Sequence, residues 1–181
     1  MKTTDWKFDF ASLPHWENHN SIPFVYDEFF EFPQYDALCC IYSIAEVSMC
    51  NEIGFLAVIV NKEAPSLYFA EPQDVLFTPN VSISSDGKFV FLQASIYNRE
   101  NYSYKRPIVI IDMSRKVFSY VHTDNINPCY KISELTENVF EISADDFQKK
   151  HDEALKELCE QKIRTDRLEW YDLNSLREKL L

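Results

Sequence analysis

Two apolar runs constrain the fold more than any other feature of this chain: Ala37 to Val47 (ALCCIYSIAEV) and Gly54 to Asn61 (GFLAVIVN). A bilayer-spanning helix needs about 20 apolar residues, so both runs are far too short to be one. Near-continuous apolar runs of this length read as strands buried on both faces. The polar link Met49-Cys50-Asn51-Glu52 between them predicts that they pair as neighbours.

Further strands follow from the same reasoning. The aromatic stretch Ile22 to Phe32, bounded by Pro23 and Pro33, predicts one or two strands. Ser66 to Ala70 is a short strand after the Pro65 turn. Asp86-Gly87 sits between Val81–Ser84 and Phe89–Ile96, a strong local hairpin signal because glycine takes the positive φ that such a turn demands. Asn98 to Arg106 reads as a polar, tyrosine-bearing loop. Pro107–Asp112 and Lys116–His122 form a second hairpin, and short strands are expected at Cys129–Ile132 and Asn138–Ile142. The order from Val81 to Val121 resembles one blade of a β-propeller, but a closed propeller needs typically 4–8 blades and the chain has no room for them. An antiparallel sheet or small sandwich with blade-like hairpins is expected instead.

Helical signals appear only late. Ser143 is an N-cap ahead of Asp145 and Asp146, acids that suit a helix N-terminus. Phe147, His151, Ala154, Leu155, Leu158 and Cys159 recur at helical spacing, which predicts a helix reaching about Arg164. Trp170 and Tyr171 are expected to dock on the sheet, followed by a short helix from Asn174 to Leu181. The whole reads as α+β, a single domain over 1–181: an arm with aromatic anchors over 1–20, a β-rich body over 21–142 and a helical segment over 143–181.

Composition narrows the chemistry. Two glycines in 181 residues is far below the usual share of about 7%. Phosphate-cradling loops need glycine, and neither common nucleotide-binding signature occurs. The polar opening Met1 to Asp5 lacks a signal-like apolar stretch, so a cytoplasmic location is expected. Five cysteines without C-x-x-C spacing read as reduced core thiols. No cofactor is implied.

Charge is the most unusual property. The net charge is −11, and no lysine or arginine lies between Lys7 and Lys62, where eight acids stand. Such a field disfavours nucleic acid and anionic membranes and speeds encounter with a basic protein. Aromatics interleave with these acids, and an aromatic ringed by charge suits a protein interface. Tyr26, Asp27, Glu28, Phe30, Glu31, Tyr35 and Asp36 are therefore the expected partner-binding residues. The competing reading is a charged edge strand that resists aggregation.

Catalytic patterns are weak. His15 and His19 flank Glu17, but the order is not that of a zinc protease and Pro14 opposes a helix. Cys50 or Cys129 with His122 and Asp124 is a pairing by availability. Cys39 and Cys40 point to opposite faces if they lie in a strand. No catalytic or metal-ligating residue is assigned. The leading expectation is a non-enzymatic binder of a basic protein, an immunity or inhibitor protein for a toxin being the concrete form. The alternatives are a small enzyme or ligand-binding domain with dispersed site residues, and a structural subunit of a larger complex.

Overall fold

A computed structural model describes residues 5–14, 28–48, 51–70, 75–98, 103–121, 131–133, 139–141 and 165–181. The fold is mostly antiparallel β-sheet with a short C-terminal helix. Contacts divide it into two compact units, Met1–Pro79 with Asp172–Leu181, and Asn80–Tyr171.

In the first unit, β1 (Glu28–Phe32), β2 (Ala37–Ser48), β3 (Asn51–Val60) and β4 (Ser66–Ala70) pair in that order, all antiparallel. The two apolar runs are the adjacent strands β2 and β3, with Cys40 opposite Ala57 and Leu38 opposite Ile59. Every side chain of Ala37–Tyr42 and of Phe55–Ile59 is buried, so both faces of these strands are covered. One face belongs to a single cluster: Leu38, Cys40, Tyr42, Phe55, Ala57 and Ile59 pack with Trp6 and Leu13 of the N-terminal arm. Phe8, Phe10 and Phe29 edge that cluster in successive T-shaped contacts of 5.2 and 5.3 Å. Tyr42 lies within it because its hydroxyl donates to the Pro14 carbonyl at 3.0 Å, as a buried phenol requires.

Strands β1 and β2 are joined by a 3-10 turn, Pro33–Tyr35, whose first position suits the fixed φ of proline. Asp36 closes it in the left-handed region at φ 46°. At the other end of the chain, Asp172 accepts the Asn174 amide at 2.8 Å and starts a 3-10 turn that leads into α1 (Leu176–Leu180). Leu173, Leu176 and Leu180 are buried, while Leu181 is 57% exposed. The short terminal helix thus forms where the leucine spacing places it.

The strand β5 (Val75–Ile83) begins in the first unit, where Phe77 faces Gly54, and enters the second beyond Pro79. There the hairpin to β6 (Phe89–Asn98) closes as expected: the Gly87 amide donates to the Ser84 carbonyl at 2.8 Å, and Gly87 sits at φ 68°. The loop expected over Asn98–Arg106 is corrected. It contains β7 (Ser103–Lys105), which folds back on β6 with Tyr97 opposite Tyr104. Polar alternating residues suffice for such a strand when its partner already exists.

β8 (Ile108–Asp112) pairs β6 on one side and β9 (Val117–Val121) on the other, and every residue of β8 is buried. β9 starts one residue later than expected, because Lys116 adopts φ 59° and donates its amide to the Asp112 carbonyl at 2.9 Å. Short strands β10 (Lys131–Ser133) and β11 (Val139–Glu141) pair with each other in a separate two-stranded sheet. Trp170 and Tyr171 do dock on the second unit, Tyr171 opening the two-residue strand β12 (Tyr171–Asp172). The helix expected from Ser143 to Arg164 lies outside the described residues.

Candidate functional site

The base-free stretch between Lys7 and Lys62 is closed by those same two lysines. The Lys7 amide donates to the Lys62 carbonyl at 3.3 Å, so the ends of the acidic stretch meet where the arm crosses the end of β3. Lys62 Nζ then lies 3.5 Å from Glu31 Oε1 and 3.8 Å from Asp5 Oδ2, and Lys7 pairs with Glu63. The Trp6 indole N–H donates to Glu31 Oε1 at 3.2 Å, which satisfies the polar atom of a ring otherwise in the core. Asp36 also meets this strand end: its carboxylate accepts the Lys62 amide at 3.0 Å and its carbonyl accepts the Asn61 amide at 2.9 Å.

The expected partner-binding residues fall into four groups. Glu31 and Asp36 are exposed and are brought together around Lys62. Phe30 and Tyr35 are half-buried; strand alternation puts Phe30 on the face of β1 opposite to Phe29 and Glu31. Glu28 opens β1 opposite Ile41. Tyr26 and Asp27 lie outside the described residues, as do His15, Glu17, His19, Cys50, His122, Asp124 and Cys129. Cys39 and Cys40 are both buried and in no disulfide, and Cys40 belongs to the arm-facing cluster while Cys39 does not. Burial pushes the Cys39 thiol up to about 12, which leaves almost no thiolate at neutral pH and makes it a poor nucleophile.

What the residues of the acidic cluster can do follows from their exposure. Glu31 and Lys62 keep 42% and 31% of their side-chain surface, so the pair is screened by solvent and holds the arm only weakly. Among the described residues, no group of three or more His, Cys, Asp and Glu is arranged to hold a metal ion, and no helix is long and apolar enough to cross a membrane.

A second polar cluster, in the other unit, has no counterpart among the expected site residues. Asp112 ends β8 with its side chain fully buried. One oxygen accepts the amide and hydroxyl of Ser114 at 3.0 and 2.5 Å and the Arg115 amide at 3.2 Å. The other accepts Arg115 Nε at 2.7 Å and faces Lys88 Nζ at 3.5 Å. Burial pushes the Asp112 carboxyl up, but the hydrogen bonds from Ser114 and Arg115 and the charge of Lys88 outweigh it and hold it below its ordinary value. The carboxylate ties two hairpin turns together, since the Met113 amide also donates to the Lys88 carbonyl at 3.0 Å. Asp followed two residues later by Ser is the local signal, because aspartate bonds readily to the backbone two residues on.

Compared with protein families, with curated proteins and with solved structures, the chain matches none.

Proposed function

We propose that this protein is a non-enzymatic binding protein that engages a basic protein through the acidic, aromatic-bearing region around β1 and the turn after it. An immunity or inhibitor protein acting in the cytoplasm against a cationic toxin is its concrete form. The observation that supports this reading is the unbalanced surface where the arm meets β1 and β3. Asp5, Asp9, Glu31, Asp36 and Glu63 are all exposed, while among the described residues Lys7 and Lys62 form ion pairs with Glu63, Asp5 and Glu31. Exposed carboxylates in such surplus attract a basic surface over about a Debye length and accelerate its approach. Tyr35, half-buried between Glu31 and Asp36 in sequence, supplies an aromatic that an interface can bury further. In the same reading, the strands over residues 81–121 form a blade-like meander within a small sandwich.

The test is capture of a stoichiometric partner, followed by stopped-flow association at low and high salt. The on-rate is expected to fall steeply as salt rises. Converting Asp27→Asn, Glu28→Gln and Glu31→Gln together is expected to lower the on-rate more than it raises the off-rate, as loss of steering does. Tyr35→Ala is expected to act on the off-rate instead. An on-rate indifferent both to salt and to the triple substitution would overturn the proposal.

A further inference from the structure

The register of the second unit shows how the segment ending in Tyr171 is fastened to it. Phe89, Asp112 and Val117 lie opposite one another across β6, β8 and β9, and the next row is Val90, Ile111 and Phe118. Successive rows point to opposite faces of the sheet. Trp170 stacks on Phe89, with centroids 6.1 Å apart, on one face. Tyr171, the next residue, meets Phe118 at 5.6 Å and Tyr120 at 6.0 Å on the other. The pair therefore straddles the edge of the sheet at β9, and β12 lies beside β9 in the strand order.

The grip on the Trp170 side is set by a charge. The Arg115 guanidinium lies 4.6 Å from the Trp170 ring centre, and its Nε is anchored on the buried Asp112 carboxylate. Asp112 keeps Lys88 at 3.5 Å as a second cation, and Lys88 in turn lies over the Phe89 ring at 4.9 Å. Arg115 itself is half exposed, with 51% of its side-chain surface accessible. A contact of this kind is strong enough to hold a short segment and weak enough to let it go.

We propose that residues 165–171 are a releasable latch on the outer edge of β9, set by Arg115, and that the edge uncovered by release takes the same segment from a second copy of the chain. The occupant follows from the fit already present: adjacent aromatics that grip both faces, on a short strand that supplies the backbone pairing. A freed edge strand is a template for an added strand, and a segment shaped for it in one molecule is shaped for it in the next.

Hydrogen exchange on the full-length chain tests the latch. Arg115→Ala leaves Lys88 to pair with Asp112, so the fold is retained. Exchange at the amides of 169–171 is expected to rise about tenfold while β6 and β8 stay protected. Arg115→Lys is not expected to restore protection, because an ammonium lacks the planar face that stacks on indole. In the second arm, a labelled peptide of residues 165–175 is added in trans. It is expected to bind Arg115→Ala at least about tenfold more tightly than the wild type, and to lose binding when its Trp170 and Tyr171 are replaced by alanine. Unchanged exchange in Arg115→Ala overturns the latch, and so does an equal rise across β6 and β8, which would make Arg115 a general staple. A loosened segment with no peptide binding overturns the exchange between copies.

Discussion

At the scale of single residues, Asp112 and Gly87 concentrate the local demands of the fold. The Asp112 carboxylate is held below its ordinary value of 3.8 against the opposing effect of burial, so the folded state prefers it charged more strongly than the unfolded chain does. Its contribution is therefore fully present above 3.8 and is lost as pH falls through the lower folded value. Asp112→Asn is expected to cost about 1.5–3 kcal/mol at pH 7, the range for hydrogen bonds to a charged group. In urea melts from pH 7 downward, the gap between wild type and variant is expected to close below 3.8. A gap that stays constant would mean that the charge contributes nothing. Gly87 presents a different demand, a backbone at φ 68°. Gly87→Ala is expected to cost roughly 1–2 kcal/mol and Gly87→Asn less, since asparagine tolerates this region. Asn61 and Asp36, at φ 64° and 46°, already show that tolerance in the same chain. Equal melting temperatures for the alanine variant and wild type would remove the strain argument.

At the scale of elements, α1 is expected to matter beyond its five residues. Leu176 and Leu180 are buried to 2% exposure or less, while Leu181 is 57% exposed. Leu176→Ala and Leu180→Ala are each expected to cost about 2–5 kcal/mol in denaturant melts, and Leu181→Ala no more than about 0.5 kcal/mol. Equal effects would place the wrong face of the helix inward. Its leucine spacing is legible in the sequence, as are β2, β3, β4, β8 and the Gly87 hairpin, because each carries a local signal of apolar run or turn chemistry. β7 is not, since its polar residues make a strand only by pairing with β6. Pairing is information that a neighbour holds. The same limit applies to the candidate site. The acidic stretch can be read directly, whereas the meeting of Asp36 with Lys62, 26 residues apart, depends on how β2 and β3 align. The Lys88 side of the Asp112 cluster escapes sequence reasoning for the same reason, since Lys88 arrives from another hairpin.

At the scale of the whole molecule, the question is whether the charge of −11 is held as repulsion or discharged in pairs. The ion pairs around Asp112 draw on a buried carboxylate, and salt screens them little. Those of Lys7 and Lys62 involve groups that keep from 31% to 80% of their side-chain surface, and exposed pairs contribute little in water. Eight acids lie between Lys7 and Lys62 with no base among them, and on the proposed reading like-charge repulsion outweighs attraction in this part of the chain. Screening must then relieve more energy than it removes. Raising sodium chloride from about 0.01 M, where the screening length is about 30 Å, to about 0.15 M, where it is about 8 Å, is expected to stabilise the fold. An effect of about 1 kcal/mol corresponds to a rise of roughly 2–4 °C in Tm for a protein of this size. Thermal melts in chloride at fixed pH provide the measurement, with Glu31→Gln as the comparison. That variant removes one repelling charge together with one exposed pair, and it is expected to melt within about 1 °C of wild type at high salt. A Tm that falls as salt is added would reverse the balance. The lysine pairs would then outweigh the repulsion, and the acidic stretch would lack the uncompensated field that the proposed partner is to feel.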